Sequence, residues 1–360
     1  MKYVDEYRNP HRIQHLVAQI GKTSDKPVKL MEVCGTHTVT IFRNGIKDLL
    51  PGHITLISGP GCPVCVTSIE GIDRAIALAQ KNGIIIATFG DLLRVPGSQT
   101  SLLKQRSEGA DIRVVYSAYD AFHLAQQYKD RQVVFLGIGF ETTAPTIAAV
   151  IRHAEEARID NFSVLSLHKL LPPALRALVQ CPELQIDGFI CPGHVSTIIG
   201  TKPYIPLAHE FGVPCVIAGF EPVDVLQAIA MLVRQIEHGK ARVEIQYRRA
   251  VSSHGNSKAR AMMEEVFEPC DSVWRGFGSL PGSGLKIASR YAAFDAERRF
   301  DVSALNGPEP PGCLCGEILR GLKQPPDCSL FRRVCTPESP VGACMVSSEG
   351  TCAAYYKYAT

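Results

Sequence analysis

Short runs of β-branched residues alternate with helical patterns over the first two thirds of this 360-residue chain. Between the runs, apolar residues recur at helical spacing in the segments that begin "SIEG", "SAYD", "TAPT" and "PVDV". Strands that alternate with helices in this way are typical of βαβ units on a parallel sheet. The predicted strands are "HITLISG", "GIIIATFG", "IRVVYS", "VVFLGIGF", "FSVLSLH", "GFICPG" and "PCVIAGF". The alternation therefore predicts an α/β fold.

The length of the chain predicts more than one domain, because single hydrophobic cores rarely grow to this size. We predict one α/β domain over residues 1–130 and a second over residues 131–245, each with a mainly parallel sheet. Residues 246–360 contain many Pro, Gly and Cys residues and too little continuous apolar sequence to build a core. This last segment is predicted to be a cysteine-rich domain that another part of the protein holds in place.

Charge and hydropathy argue against nucleic acids and membranes as partners. The sequence has 38 basic and 35 acidic side chains, which give a net charge of +3, and it contains no basic tract that would neutralise a run of phosphates. The N-terminus has charges where a signal peptide needs an apolar stretch, and no uncharged apolar run approaches the length of a membrane span. We therefore expect a cytoplasmic protein.

The thirteen cysteines are the most informative part of the composition. In a reducing compartment, cysteines are better candidates for metal ligands or redox thiols than for structural disulfides. Turn-forming sequences separate Cys328, Cys335, Cys344 and Cys352, so the backbone can direct each sulfur toward one centre. Four thiolates fit a [4Fe-4S] cluster or a zinc ion, and the absence of closely spaced ligand pairs favours iron and sulfur.

Two further cysteines, Cys313 and Cys315, lie just before this set in "GCLCGE". Either of them can replace one ligand of the cluster or act as a nearby thiol. Spacing alone leaves both interpretations open.

A second pair of cysteines lies in the turn "GPGCPVC" after a predicted strand. Cys62 and Cys65 have the spacing of a redox dithiol or of half a metal site, and a helix N-terminus at this point would lower a thiol pKa. A buried structural pair is the alternative. Pro60 and Pro63 favour a functional role, because they stiffen the turn and restrict both sulfurs.

The segment "MEVCGTHT" adds Cys34 and His37 at the end of another short apolar run. These two residues can form a metal-ligand pair or a thiolate with a neighbouring imidazole. A core cysteine beside a surface histidine is the structural alternative. Together with Cys62 and Cys65, Cys34 forms a predicted set of three thiols.

Two more strand ends carry polar candidates. In "GFETTAPT", the residues Glu141, Thr142 and Thr143 either cap the next helix or line a polar site. In "CPGHVST", His194 precedes Ser196, but the G-x-S-x-G turn of serine hydrolases is absent. No Walker A sequence or dinucleotide-binding glycine motif occurs, so a nucleotide site is not predicted.

Taken in order, "MEVCGTHT", "GPGCPVC", "GFETTAPT", "CPGHVS" and "DCSLFRRVCTPESPVGACMVSSEGTCAAYY" resemble the HypD family of [NiFe]-hydrogenase maturation proteins. The resemblance covers residues 31–356. It implies two α/β domains and a C-terminal domain that carries a [4Fe-4S] cluster. It also implies a scaffold role, in which the protein and a small HypC-type chaperone hold an iron while its cyanide and carbon monoxide ligands are installed. A HypE-type protein would deliver the cyanide.

The resemblance also implies roles for individual residues. Cys34 would be the thiol of the iron site, with His37 beside it, and Cys62 and Cys65 would be a redox dithiol. The cluster would pass electrons to this dithiol, and its ligands would be Cys328, Cys335, Cys344 and Cys352. Val39 stands where the first motif of the family often has a second histidine, so a role that needs two histidines does not carry over.

Two other classes of function compete with this scaffold. A stand-alone thiol-disulfide oxidoreductase would use the cluster as an electron inlet and would turn over a generic disulfide without a chaperone. A structural zinc protein would contain stoichiometric zinc and no acid-labile sulfide.

Overall fold

The computed structural model of the protein describes residues 5–302 and 307–359. Within these ranges the chain forms eleven strands: β1 (Val28–Glu32), β2 (Ile54–Ser58), β3 (Ile84–Thr88), β4 (Ile112–Val114), β5 (Gln132–Gly137), β6 (Phe162–Ser166), β7 (Gly188–Pro192), β8 (Cys215–Ala218), β9 (Val243–Ile245), β10 (Phe267–Trp274) and β11 (Gly278–Ile287). All seven strands predicted from β-branched runs are present, as β2 to β8.

The helices between and after the strands are α1 (Pro10–Thr23), α2 (Gly35–Arg43), α3 (Ile46–Leu49), α4 (Pro63–Val66), α5 (Ile69–Ala79), α6 (Leu102–Ser107), α7 (Ala118–Gln127), α8 (Ala144–Glu156), α9 (Leu171–Val179), α10 (Gly193–Ile199), α11 (Ile205–Phe211), α12 (Pro222–Glu237), α13 (Ser257–Val266), α14 (Ala296–Arg299), α15 (Cys315–Leu319), α16 (Ala343–Val346) and α17 (Thr351–Tyr358). Short 3₁₀ helices occur at Asp5–Tyr7, Gly90–Arg94, Lys202–Tyr204, Ser289–Phe294 and Pro325–Asp327. The four helical segments predicted between the strands correspond to α5, α7, α8 and α12.

Nine of the strands form two parallel sheets. The first sheet has the order β2-β1-β7-β8-β9, and the second has the order β4-β3-β5-β6. Every neighbouring pair in both sheets is parallel. Strand β5 is buried at five of its six residues, as expected where helices cover both faces of a parallel sheet. The structure therefore confirms an α/β fold with mainly parallel sheets.

The two sheets do not correspond to residues 1–130 and 131–245. Strand β1 pairs with β7, with Leu30 opposite Gly188, and β3 pairs with β5, with Ile84 opposite Gln132. Both pairings cross the division expected between residues 130 and 131. The first sheet thus combines the first two strands of the chain with three later ones, and the second sheet uses the strands between them. Periodicity identifies strands but carries no information about which strands become neighbours.

Strands β10 and β11 form an antiparallel hairpin that the sequence analysis did not predict. Its register shifts between Cys270 and Ser272, and Pro269, Pro281 and several glycines interrupt the β-branched pattern. A short bridge joins Thr67 to Trp274 at the tip of the hairpin. The hairpin therefore reaches the segment that follows the "CPVC" turn.

Local capping explains where several helices begin and end. Ser68 caps α5 by accepting a hydrogen bond from the Gly71 amide, and Ser117 forms a capping box with Asp120 at the start of α7. Gly239 follows α12 with a φ of +61°, the left-handed conformation that favours glycine after a helix. The His238-Gly239 sequence therefore ends this helix.

The cysteine-rich C-terminal segment packs against the rest of the protein. Cys315, Cys344 and Cys352 are buried in the same apolar cluster as Cys62 and Cys65. The core around this segment is thus shared with the sheet-forming part of the chain, as its low content of apolar sequence requires. Over the residues that the structure describes, every helix is too short or too polar to cross a membrane.

Candidate functional site

Cys34 lies at the carboxyl end of β1, where it caps the N-terminus of α2. The chain beside it is the "GPGCPVC" turn, and the Gly35 amide donates a hydrogen bond of 3.1 Å to the Gly61 carbonyl. A Cβ at Gly61 would lie 2.3 Å from the Cys34 nitrogen and 2.4 Å from its Cα. Only glycine allows this approach, so the turn at residues 59–65 is held directly against Cys34.

Cys62 and Cys65 are joined by a disulfide, with their Cα atoms 5.2 Å apart. Cys62 precedes α4 and Cys65 lies within it, so the short helix keeps the two side chains on one side. Both residues are buried, and Cys65 Sγ lies 3.9 Å from the carbonyl oxygen of Ala343, the residue before Cys344. The pair therefore lies between Cys34 and the C-terminal cysteines.

Burial controls the charge of Cys34. Loss of solvent, together with the nearby Glu349 carboxylate, raises the pKa of the Cys34 thiol to about 12. The thiol is therefore protonated at neutral pH when no cation is bound. A metal ion would displace this proton, because the thiolate is the form that binds metals.

His37 is fully buried one turn into α2. Burial lowers its pKa to about 4, so the ring is neutral at physiological pH. Nε2 lies 2.9 Å from the Gly219 carbonyl oxygen, which can only accept, so Nε2 carries the proton. Nδ1 is then an acceptor, and it has no hydrogen-bond partner within the described part of the chain.

His194 belongs to the same region as His37. Its ring stacks on Phe220 at 3.9 Å, and His37 stacks on the same ring at 4.9 Å. Burial lowers the pKa of His194, and the Glu349 carboxylate partly offsets this shift. The structure thus brings His194 close to the Cys34 region, as an aromatic and electrostatic neighbour.

Glu349 is a residue of this site that the sequence analysis missed. Its Oε1 accepts a hydrogen bond of 2.6 Å from Thr36 Oγ1. A Cβ at Gly35 would lie 2.5 Å from the Glu349 Cβ, so the "SSEG" loop lies directly on the first turn of α2. In sequence, this loop is one of the turn-forming segments between candidate ligands, and the acidic residue between Cys344 and Cys352 is the one signal that points to it.

The "GFETT" residues Glu141, Thr142 and Thr143 lie in the turn between β5 and α8. Burial raises the pKa of Glu141 to about 7; its Oε1 accepts from the Leu171 amide, and Oε2 is buried without a partner in the described residues. Thr143 bonds to carbonyl groups of its own turn, and Thr142 is half-buried. These contacts tie the motif to α9 and to the turn before α8. Thr143 stands at the N-cap position of α8, but its hydroxyl makes no capping hydrogen bond to the described part of the helix.

The four predicted cluster ligands lie close to Cys313 and Cys315. We call this group the C-terminal cysteine cluster: Cys313, Cys315, Cys328, Cys335, Cys344 and Cys352. Cys344 Sγ is 2.7 Å from Cys315 Sγ, and the Val341 amide donates to Cys335 Sγ at 3.3 Å. Cys315 and Cys344 are thus in contact, and Cys328 and Cys352 are electrostatic neighbours of both Cys313 and Cys335.

Electrostatic contacts distinguish members of this cluster. Burial, together with Cys315, Cys328 and Cys352, raises the pKa of Cys313 to about 12. The pKa of Cys344 is raised first by its contact with Cys315 and then by Cys352. Cys344 is thus in contact with Cys315, and Cys313 has Cys315, Cys328 and Cys352 as electrostatic neighbours.

The donor chemistry of the cluster suits an iron-sulfur centre, since sulfur ligands from buried cysteines are what such centres use. Across residues 5–302 and 307–359, no three side chains of His, Cys, Asp or Glu come together in a geometry that would hold a metal ion. The C-terminal cysteine cluster therefore fits an iron-sulfur centre by its residue type and by the contacts among its thiols.

The chain is similar over nearly its whole length to known hydrogenase maturation proteins. A family profile described as HypD, hydrogenase formation hypA family, matches residues 11–359. The hydrogenase maturation factor HypD of Azotobacter vinelandii is 52% identical over 99% of this chain and 97% of its own length. HypD of Cupriavidus necator is 50% identical over 99% of this chain and 97% of its own length. A putative hydrogenase expression/formation protein of Methanocaldococcus jannaschii is 47% identical over 96% of this chain and 97% of its own length. This chain belongs to the HypD family.

Proposed function

We propose that this protein acts in hydrogenase maturation as a redox-active scaffold. Its cargo is an iron that receives cyanide and carbon monoxide ligands while a small HypC-type chaperone and the protein hold it together. A HypE-type protein supplies the cyanide. The observation that carries the proposal is the meeting of three thiol motifs: Cys34 contacts the turn of Cys62 and Cys65, and Cys65 contacts the segment that bears Cys344.

In this proposal Cys34 binds the iron through its sulfur. A cyanide-bearing iron is soft enough to prefer a thiolate, and binding removes the proton that burial keeps on Cys34. The neutral His37 ring, whose Nδ1 has no hydrogen-bond partner among residues 5–302 and 307–359, is a second donor in the same helix. The Thr36–Glu349 hydrogen bond closes the C-terminal loop over the start of this helix.

The Cys62–Cys65 pair, in its reduced dithiol form, is the proposed store of electrons beside the iron. Reduction breaks the S–S bond, takes up two electrons and yields two thiols after two protons are added. Bound in the C-terminal cysteine cluster, a [4Fe-4S] centre supplies single electrons. The short path from Cys65 through Ala343 to Cys344 supports this use of the pair.

Maturation in cells tests the scaffold. We expect Cys34→Ala, Cys62→Ala and Cys65→Ala each to lower hydrogenase activity at least tenfold in a strain that lacks its own copy of the protein. Cys181→Ala is the matched control, because this half-buried cysteine lies outside the three motifs, and it should leave activity unchanged. Full activity of the Cys62 and Cys65 variants would contradict the proposal.

Metal analysis tests the cluster and its ligands. We expect about four irons and four acid-labile sulfides per chain in anaerobically purified protein, with both lost in Cys335→Ala. Cys344 is in contact with Cys315, whereas Cys313 has Cys328 and Cys352 among its electrostatic neighbours, so Cys313 competes with Cys344 as the fourth ligand. The iron and sulfide contents of Cys313→Ala and Cys344→Ala identify which of the two binds the cluster. Stoichiometric zinc without sulfide would instead support a structural metal site.

The oxidoreductase alternative is favoured by the disulfide itself. Its burial argues against this alternative, because Cys62 is 3% exposed and Cys65 is fully buried, so a generic protein disulfide does not reach either sulfur. An assay with a model disulfide and no chaperone distinguishes the two. Sustained turnover would favour the oxidoreductase, and absence of turnover with retained maturation would favour the scaffold.

A further inference from the structure

Arg275 is a buried cation that the proposed function does not yet use. It follows β10 at the tip of the hairpin, and the whole residue is 3% exposed. A buried charge is costly unless it is paired or hydrogen-bonded. Its ion pair is with Glu309, whose side chain is 43% exposed, so water shields the carboxylate more than the guanidinium. The ion pair therefore joins a buried guanidinium to a partly exposed carboxylate.

The backbone and side chain of Arg275 both contact the "CPVC" helix. Arg275 Nε donates a hydrogen bond of 3.1 Å to the Cys65 carbonyl oxygen. The Arg275 amide donates at 2.8 Å to the Val66 carbonyl, and the neighbouring Thr67–Trp274 bridge continues this contact. The guanidinium is thus held against the residue that forms the disulfide with Cys62.

One nitrogen of the guanidinium donates no hydrogen bond to the described residues. Nη2 is buried and has no hydrogen-bond partner within the described residues. In a planar guanidinium, Nε and Nη2 form one edge, so Nη2 lies beside the nitrogen that donates to Cys65. An unpaired buried donor of a charged group is unfavourable by itself, and it becomes favourable when negative charge develops nearby.

The same hairpin tip also contacts the C-terminal segment. Gly276, with a φ of +82°, approaches Gly316 so closely that a Cβ would lie 2.4 Å from the Gly316 carbonyl oxygen. Both glycines are adjacent to functional candidates, Arg275 and Cys315. The tip of the hairpin therefore packs between the segment of Cys62 and Cys65 and the segment of Cys315. These contacts on both sides fix the position of the Arg275 guanidinium.

We infer that Arg275 is a positioning residue that stabilises the reduced form of the Cys62–Cys65 pair. Reduction by a dithiol such as dithiothreitol transfers two electrons from the reagent, which becomes its cyclic disulfide. Of the two protons that the reagent releases, one binds one protein sulfur and the other goes to solvent, so the second protein sulfur is left as a thiolate. Negative charge that develops on the protein sulfurs during this change is favoured by a fixed cation beside Cys65. This inference rests on the proposed function only for the use of the pair in maturation.

The equilibrium between the pair and dithiothreitol measures the effect directly. Purified full-length protein is equilibrated with mixtures of reduced and oxidised dithiothreitol, and alkylation of Cys62 and Cys65 is counted by peptide mass spectrometry. We expect Arg275→Gln to shift the equilibrium about tenfold toward the disulfide, which corresponds to about 30 mV for a two-electron couple. Arg275→Lys keeps the charge and should shift it less.

Glu309→Gln is the matched control, and it should shift the equilibrium in the direction opposite to Arg275→Gln. It leaves the arginine in place and removes the carboxylate that offsets its charge, so we expect a shift of about threefold toward the dithiol. An Arg275→Gln variant with a wild-type circular dichroism spectrum and an equilibrium within twofold of wild type would overturn the inference. If Arg275→Gln does not fold, an unchanged equilibrium in Glu309→Gln overturns it instead.

The outcome is separable from that of the proposed function. Intact maturation in Cys62→Ala would refute the proposed use of the pair, while the shifts of the Arg275 and Glu309 variants would still be measured on the isolated protein. Conversely, loss of maturation in Cys62→Ala with no shift in Arg275→Gln would leave the scaffold standing and remove Arg275 from it.

Discussion

Replacing Gly61 with alanine is expected to destabilise the protein by about 3 kcal/mol and to abolish maturation. The new methyl group would lie 2.3 to 2.6 Å from three backbone atoms of Cys34, closer than real Cβ contacts. Backbone cannot rotate away as a flexible side chain does, so either the "CPVC" turn or the start of α2 must move. We expect the unfolding midpoint in denaturant to fall and hydrogenase activity to be lost.

Gly52→Ala is the control for this experiment, because a Cβ at Gly52 has no neighbouring atom within 4 Å. Its stability should remain within about 0.5 kcal/mol of the parent protein. A Gly61→Ala variant with parental stability and activity would show that the spacing between Cys34 and the disulfide tolerates displacement. The proposed cooperation of these thiols would then lose its structural basis.

Replacing Trp274 with alanine is expected to lower the free energy of unfolding by about 3–5 kcal/mol. This single tryptophan is 1% exposed, and its ring stacks on Phe140 at 6.1 Å. Its Nε1 donates a hydrogen bond of 2.9 Å to Ser283 Oγ. Truncation leaves a cavity where the hairpin, the "GFETT" segment and the "CPVC" segment meet. Denaturant unfolding followed by circular dichroism measures the loss.

Two variants calibrate this result. Trp274→Phe keeps an aromatic ring and should cost about 1–2 kcal/mol, mainly through the lost hydrogen bond and reduced volume. Val273→Ala, at a neighbouring position that is 38% exposed, should change stability by less than about 1 kcal/mol. A Trp274→Ala variant as stable as Val273→Ala would mean that the hairpin tip does not support the core.

Local patterns in the sequence were sufficient to identify most regular structure. Seven strands and four of the helices between them lie where β-branched runs and helical spacing predicted them. The hairpin of β10 and β11 was missed because Pro269, Pro281 and a register shift hide its alternation. Prolines and bulges are compatible with a hairpin whose packing comes from elsewhere in the protein, and such packing is not visible in a local pattern.

The sequence analysis singled out the thiols of the candidate site, but it did not identify the charged residues around them. Cys34, Cys62 and Cys65 were identified because cysteines in stiff turns after strands are uncommon for packing alone. Glu349 and Arg275 are ordinary charged residues in sequence, and their importance follows from burial and from contacts across more than 200 positions of the chain. Spacing also left Cys313 and Cys315 undecided, and the contact of Cys315 with Cys344 makes that choice testable.

Local sequence patterns were enough for the α/β class, the positions of seven strands and the choice of candidate thiols, because periodicity and residue type act over a few neighbouring residues. Tertiary structure alone decided which strands pair and which cysteines face each other. The pairing of β1 with β7 and of β3 with β5 depends on how helices cover both sheets, a global packing problem with no local signature. The same packing buries Cys34 and sets its pKa, so its protonation state is also a property of the folded protein.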